Sequence, residues 1–222
     1  MPDHPPTPLL THPVLSASVP RASLVRLGHT GSADIVTRIL RLARRDASTV
    51  RITEYDITDP FWLLRAGELD VMVAKFGVRE PDLVSSRVLT QDARAAVVGA
   101  HHPLARCSSV SVEDVADFPV LDRPDLFPAE IWDEVVPRHT PSGLPLRRAY
   151  RLTGVPELMR LLTASTAVHL SVLSVADVAP PTVRVLPVHD LPPASVTLVW
   201  RRGDVPAQVL EFVVAAEAGA AQ

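Results

Sequence analysis

The chain has 222 residues, 47% apolar and 21% charged, so it is long and apolar enough to fold around a buried core. Its 22 basic and 25 acidic side chains nearly balance, which excludes the strongly basic charge typical of a nucleic-acid binder. The single cysteine, Cys107, cannot form an internal disulfide, and the first twenty residues hold no apolar run of signal-peptide or anchor length. We therefore expect a cytoplasmic protein that contacts neither DNA nor a membrane directly.

The start of the chain is rich in proline, with six prolines among the first twenty residues. Because proline fixes φ and lacks a backbone N–H, we interpret residues 1–22 as a loose N-terminal arm. From residue 23 onward, short apolar runs alternate with segments of helical period. This alternation is typical of βαβ units and predicts an α/β fold.

The first half of the chain predicts three parallel strands with two helical crossovers, followed by two further strands. The third strand is almost wholly apolar, which suits a strand covered on both faces, and Lys75 follows at its carboxyl end. A short second helix is expected to stop at Gly67. The predicted elements are strands at 24–28, 50–57, 69–74, 84–90 and 93–100, a helix after residue 32 that runs to about residue 45, and a short helix at 61–65.

The second half repeats the alternation and ends in a helix. We expect Asp204 to cap this last helix, with Pro206 in its first turn, and the helix to return to the first part of the fold. Its predicted buried residues are Val209, Leu210, Val213 and Val214. The other predicted elements are helices at 112–116, 128–136 and 154–163, and strands at 119–122, 148–152, 168–172, 183–188 and 196–201.

Five local strings occur in a specific order and spacing. They are LRAGELD at 64–70, HHPLA at 101–105, VEDVADFP at 112–119, PELM at 156–159 and LVWRRG at 198–203. Together they resemble the effector-binding region of LysR-type transcriptional regulators. The resemblance spans about residues 23–217.

The resemblance implies two Rossmann-like lobes of the type 2 periplasmic-binding-protein kind, with a small molecule held between them. Lobe I is expected over 23–96 and 197–222, and lobe II over 97–196. Family members begin with a winged helix-turn-helix, and here the proline-rich arm stands in that place, so we expect a free-standing effector domain. The family also carries glycines in the turn before the strand at 168–172, where this chain has 164–167 of sequence ASTA.

The turn after the first strand is the strongest candidate for ligand binding. The N–H groups of His29, Thr30, Gly31 and Ser32 precede a helix, and the positive end of the helix dipole attracts a carboxylate or phosphate. The alternative is plain N-capping by Thr30 or Ser32 without a ligand. The resemblance places this turn at the cleft.

Two further candidates lie at the ends of the second and third strands. The ammonium of Lys75 can pair with an acidic ligand group at the crevice edge of a parallel sheet, and Phe76 follows it. A solvated surface lysine is the alternative. Thr58 can offer its hydroxyl to the cleft, or it can serve only as a helix cap.

The second lobe contributes candidates of the same kind. Arg123 ends a strand and offers a second cation, with a surface salt bridge as its alternative role. Thr153 and Gly154 open a helix and offer a second helix N-terminus. His169 lies in an apolar strand, where a hydrogen-bonded core histidine is the alternative to a ligand-binding one.

No motif in the sequence predicts a metal or a cofactor. His101 and His102 are adjacent, so on an extended chain they point to opposite sides, and with Cys107 they form no metal-binding pattern. The sequence lacks a Gly-x-Ser-x-Gly nucleophile elbow and any glycine-rich nucleotide motif.

The sequence thus predicts an effector-binding domain that closes over a small anionic metabolite, expected to be a carboxylate, and regulates without binding DNA itself. We expect it to pair with a second copy or with a full-length LysR-type regulator through the surface at 32–45. One alternative is an enzyme evolved on this scaffold, with Lys75, His29 or His169 as the titrating group. Another is a fragment from which a DNA-binding part has been removed.

Overall fold

The structure is a computed structural model that describes residues 24–222, so the predicted arm at 1–22 lies outside the described residues. The strands are β1 Val25–His29, β2 Val50–Glu54, β3 Val71–Lys75, β4 Leu83–Ser85, β5 Thr90–Asp92, β6 Arg94–Gly99, β7 Val120–Asp122, β8 Arg148–Arg151, β9 His169–Val172, β10 Val183–Pro187 and β11 Ala194–Arg201. The α-helices are α1 Asp34–Leu42, α2 Trp62–Arg65, α3 Val112–Val115, α4 Ala129–Val135, α5 Val155–Ala164 and α6 Ala207–Ala220.

The first sheet is built on the predicted parallel unit. Strand β1 pairs in parallel with β2 and β3, and β11 returns antiparallel to β3. The short strands β4 and β5 both pair with β11. The predicted strand at 84–90 is therefore divided in two, because the Ser86 hydroxyl accepts the Leu198 N–H at 2.9 Å where a backbone carbonyl would accept it in a regular ladder.

Strand β3 lies at the centre of this sheet and is covered on both faces, as its apolar sequence predicts. Val71 and Val73 pack with the residues of α1 and α6, whereas Met72 and Ala74 pack with the cluster on the opposite side. Successive side chains of a strand point to opposite faces, so both faces of the sheet have apolar layers. The turn before β3 ends at Gly67, whose φ of 75° is the left-handed conformation predicted for the stop.

Helix α6 packs against α1, as expected for a helix that returns to the first lobe. It begins at Ala207 after Pro206, so the predicted cap by Asp204 is wrong. Leu210 and Val214 are exposed, which corrects their predicted burial, because each residue of a helix is rotated about 100° from the previous one and only one stripe faces the core. The buried residues of α6 are Val209, Phe212, Val213 and Ala216. In the part of the chain that the structure describes, no helix has the length and apolar composition to cross a membrane.

The second lobe is assembled around β6, which pairs antiparallel with β9 and β10. A separate parallel pair, β7 and β8, is linked to this sheet through a bridge between Val120 and Val168. The chain passes from the first sheet to the second between β5 and β6, and returns between β10 and β11. The protein therefore has the predicted two-lobe α/β fold, and the boundaries at 96/97 and 196/197 stay a prediction.

Candidate functional site

A cavity of about 410 Å³ opens between the two lobes. Its size lies within the range usual for small-molecule sites, and most of its wall is apolar. Residues at the carboxyl ends of β1, β2 and β3 form one side, and α4, α5 and β9 form the other. Its apolar and aromatic lining includes Tyr55, Phe61, Met72, Phe127, Ile131, Val135, Leu158 and Met159.

The turn between β1 and α1 reaches the cavity through Thr30 and Gly31. Among residues 24–222, no hydrogen-bond partner is seen for the backbone N–H of either residue. Gly31 has a φ of 71°, a left-handed conformation that glycine adopts without steric cost. These two amides are therefore available to an acceptor on a ligand.

The neighbouring residues of this turn are engaged elsewhere. The hydroxyl of Ser32 donates to the Asp177 carboxylate and accepts the Asp34 N–H at 3.1 Å, so it connects the turn to the segment after β9. His29 is half-buried, and its burial lowers the pKa of its imidazole. Neither residue lines the cavity.

Lys75 lines the cavity, but its ammonium already has protein partners. Its Nζ donates to the Ser174 hydroxyl at 2.8 Å and lies 3.3 Å from an oxygen of Asp92. Asp92 also accepts the Ser174 hydroxyl at 2.5 Å. Burial lowers the pKa of Lys75 in spite of Asp92. The positive charge of Lys75 is thus largely balanced within the protein.

Phe76 lines the cavity next to a buried cation that sequence reasoning missed. Its φ of 71° is uncommon for a bulky residue, and the guanidinium carbon of Arg94 lies 5.0 Å from its ring centroid. Arg94 is only 3% exposed and donates to the backbone carbonyls of Glu134, Val135 and Ser171. Burial lowers its pKa to about 10. None of the ion pairs seen within residues 24–222 includes Arg94, so its direct partners are carbonyl dipoles, and the Glu134 carboxylate acts on it only as a nearby negative charge.

Trp132 on α4 and His169 on β9 form the wall opposite the β1–α1 turn. Their rings stack with centroids 6.4 Å apart and an interplanar angle of 26°. Indole Nε1 of Trp132 and Nδ1 of His169 are both buried and lack a hydrogen-bond partner among the described residues. Leaving such a group unsatisfied costs about 1–3 kcal/mol, so two of them side by side are unusual in a cavity wall.

The remaining predicted site residues lie outside this cavity. Thr58 donates its backbone N–H to Asp56, as in a turn. The Arg123 guanidinium donates to three carbonyls of its own loop, those of Pro124, Asp125 and Phe127.

At the start of α5, Gly154 is the N-cap residue. Thr153 lines a second, more open groove of about 780 Å³ between β8 and α5. Five of the eleven predicted residues therefore line the cavity between the lobes: Thr30, Gly31, Lys75, Phe76 and His169. The ligand-binding roles of all eleven stay predictions.

No group of three or more histidine, cysteine, aspartate or glutamate side chains arranged to hold a metal occurs within residues 24–222. His102 instead caps the turn at 103–106, accepting the Leu104 N–H at 3.1 Å, and its ring packs on Phe118.

Three solved structures illustrate what the chain is similar to. CbnR, a LysR family transcriptional regulator, has 18% sequence identity and a TM-score of 0.69 over 90% of this chain and 70% of that chain. The effector-binding domain of BenM with its effector benzoate has 19% identity and a TM-score of 0.63 over 87% of this chain and 91% of that chain. The effector-binding domain of QuiR in complex with shikimate has 16% identity and a TM-score of 0.62 over 87% and 95%. At these identities the likeness concerns the fold.

The sequence comparisons agree with the fold. No curated protein matches the sequence at a significant level. A family model described as the LysR substrate binding domain matches residues 21–220, which is almost the whole chain. The resemblance found in the five sequence strings is confirmed, and this chain belongs to the family of LysR substrate-binding domains.

Proposed function

We propose that this domain is a sensor that binds a small, mostly apolar molecule carrying one acidic group, and that binding serves transcriptional regulation. The observation that carries the proposal is the cavity itself. Its wall is largely apolar, and its unpartnered polar atoms include three donors, the N–H groups of Thr30, Gly31 and Trp132. A ligand with an apolar body and one hydrogen-bond acceptor group fits such a wall.

The charges near the cavity support an anionic ligand group. Arg94 is a buried cation that interacts with carbonyl oxygens, and it lies directly behind Phe76. Desolvated charges attract an opposite charge more strongly than exposed ones, because fewer water molecules screen them. Benzoate and shikimate, found in the two similar effector-binding domains, are both carboxylates of suitable size.

The cavity gives less support to the alternative of an enzyme. Acid–base catalysis needs a titrating group within hydrogen-bond reach of the substrate and poised to exchange protons. The ammonium of Lys75 is held by Asp92 and Ser174, and His169 is a neutral ring whose Nδ1 is buried. These arrangements favour a group that holds a ligand over one that transfers a proton.

The proposal extends to partner and location. We propose that the domain acts in the cytoplasm by pairing with a second copy or with a full-length LysR-type regulator, through the surface at 32–45 and the neighbouring edge strand β2. The exposed face of α1 carries Arg38 and Arg41, and Ile52 is exposed on β2. With a formal charge of −3, this chain alone should show no specific retention of DNA in a gel shift.

Ligand binding is tested by thermal unfolding with a panel of benzoate, salicylate, cinnamate and shikimate, each compared with its neutral amide. A ligand at 100 times its Kd stabilises the folded state by about 2.7 kcal/mol, which raises Tm by about 5–10 °C for a chain of this size. We expect at least one acid to produce this shift and its amide to produce less.

Two matched variants locate the binding. Ala179→Trp adds a large side chain at the cavity wall and should abolish the shift, whereas Ala218→Trp on the exposed side of α6 should leave it unchanged. If no acid stabilises the protein, or if both variants behave alike, the proposed function is wrong.

A further inference from the structure

We propose that the acidic group of the ligand is held at the wall formed by α4 and β9, by Trp132 Nε1 and His169 Nδ1, with Arg94 as the balancing charge. This inference rests on the proposed function and adds where the acid lies. The β1–α1 turn, which sequence reasoning favoured for the anion, would then contact the other end of the ligand.

The two ring nitrogens are the first reason. Trp132 is 1% exposed and lines the cavity, and its indole nitrogen, which is only ever a donor, has no acceptor among the described residues, so an acceptor on a ligand would satisfy it. Nδ1 of His169 is buried beside it without a partner in the described part of the chain. Both residues line the cavity, and their ring centroids lie 6.4 Å apart. In this proposal the two oxygens of one carboxylate each accept one of the two N–H groups.

The protonation state of His169 agrees with this role. Burial, with a smaller effect of nearby Arg94, lowers the pKa of His169 to about 4. The ring is therefore neutral at pH 7 and can carry its single proton on Nδ1 as a donor. An acid held there has no charge on His169 to neutralise it, so the balancing charge has to come from another residue.

Arg94 supplies that charge. Its guanidinium lies against Phe76, which lines the cavity, and it donates to the carbonyls of Glu134 and Ser171, on the helix and the strand that carry Trp132 and His169. The carboxylate of Glu134 accepts the Gly77 N–H and the Arg79 guanidinium, both at 3.1 Å, and its charge offsets that of Arg94 only in part. In this proposal Arg94 makes the α4–β9 wall the more positive end of the cavity.

The opposite end has more negative than positive groups. Glu54 lines the cavity there, and Asp92 and Asp177 lie behind it. Lys75 interacts with Asp92 and Asp177 at this end, and its ammonium is already paired with Asp92. A ligand carboxylate would be repelled at this end and attracted at the other. The charges therefore favour the ring N–H groups of the α4–β9 wall over the backbone N–H groups of the β1–α1 turn as its binding site.

The test uses the acid of the panel that binds most tightly, compared with its amide, by isothermal titration. Trp132→Phe keeps an aromatic ring and removes the N–H, and His169→Phe removes both ring nitrogens. Each should weaken binding of the acid by about fivefold to tenfold, as expected for one lost hydrogen bond to a charged group, and binding of the amide by less than about twofold. Trp62→Phe, at an exposed tryptophan that is not itself a lining residue, should change neither.

The role of Arg94 is tested by the preference for the acid over its amide. Arg94→Gln should reduce that preference by about fivefold or more, and Arg94→Lys should restore part of it, because it keeps the charge but not the planar set of donors. If these buried variants fail to fold, the indole ¹⁵N–H resonance of Trp132, assigned by elimination from Trp62→Phe and Trp200→Phe, gives a second readout in the unchanged protein. It should shift markedly with the acid and weakly with the amide.

The outcomes separate this inference from the proposed function. If an acid binds in the cavity but Trp132→Phe and His169→Phe bind it as wild type does, or if the indole resonance does not move, the acid lies elsewhere and this inference is wrong while the sensor function stands. If no acid binds the wild-type protein, both proposals are wrong.

Discussion

The ion pair between Lys75 and Asp92 provides a decisive test of what the cavity-edge lysine does. The side chains are 11% and 7% exposed, and Asp92 also accepts two hydrogen bonds from Ser174. Asp92→Asn keeps the shape of the side chain but leaves the Lys75 ammonium buried without a negative partner. Removing one member of a buried ion pair costs about 3–5 kcal/mol, and the remaining hydroxyl of Ser174 places this case near 3 kcal/mol.

The measurement is urea and thermal unfolding of a double-mutant cycle. For a chain of this size, about 3 kcal/mol corresponds to a fall in Tm of about 6–12 °C. Lys75→Met should cost a similar amount, since it leaves Asp92 unpaired, and the double variant should cost little more than either single one. We expect a coupling energy of about 2 kcal/mol or more.

The control is Glu157→Gln, which breaks the exposed pair between Glu157 and Arg160 on α5 and should change stability by less than about 0.5 kcal/mol. If Asp92→Asn is as mild as this control, the pair contributes nothing to the fold. Lys75 would then be available to a ligand, and our assignment of its charge to Asp92 would be refuted.

Two further predictions concern pH and helix packing. His169 has a folded pKa of about 4 against 6.5 when unfolded, so its contribution to stability is complete above pH 6.5 and is lost as pH falls toward 4, by about 2–3 kcal/mol. Urea midpoints at pH 7, 5.5 and 4.5 should show this loss in wild type and a smaller one in His169→Phe, and equal slopes would contradict it. Gly219→Ala places a methyl group 2.2 Å from the carbonyl oxygen of Leu42, so it should destabilise the protein by about 1–3 kcal/mol although alanine favours helix. Thermal unfolding checks this, and an unchanged or higher Tm would show that α6 and α1 separate without cost.

Much of the fold could be predicted because the responsible signals are local. The apolar run at 69–74 indicated a strand covered on both faces, and Gly67 indicated the end of the preceding helix; both are confirmed. The parallel pairing of the first three strands followed from the alternation of strand and helix. The prediction for α6 was correct for Val209 and Val213 and wrong for Leu210 and Val214. The sequence shows two adjacent apolar stripes on this helix, and only its packing against α1 decides which stripe is buried.

The site was harder to predict because charges are paired over long sequence distances. Lys75 was a reasonable partner for an anion until Asp92 and Ser174, 17 and 99 residues away, were found beside it. Arg123 had a positive charge at the right strand end, but its guanidinium turns back to its own loop. Trp132 offered only a weak signal, an indole on the buried side of a short helix.

The amino-acid sequence by itself determined the fold class, the family and most strands and helices, since apolar period, turn residues and short strings act over a few residues. Only the tertiary structure decided which cations are already balanced and which donors remain available, because a charge or an N–H group is satisfied by whatever the fold brings within about 3 Å of it. In this protein Arg94, Trp132 and His169 are far apart in the sequence, and the packing of β6, α4 and β9 brings them together.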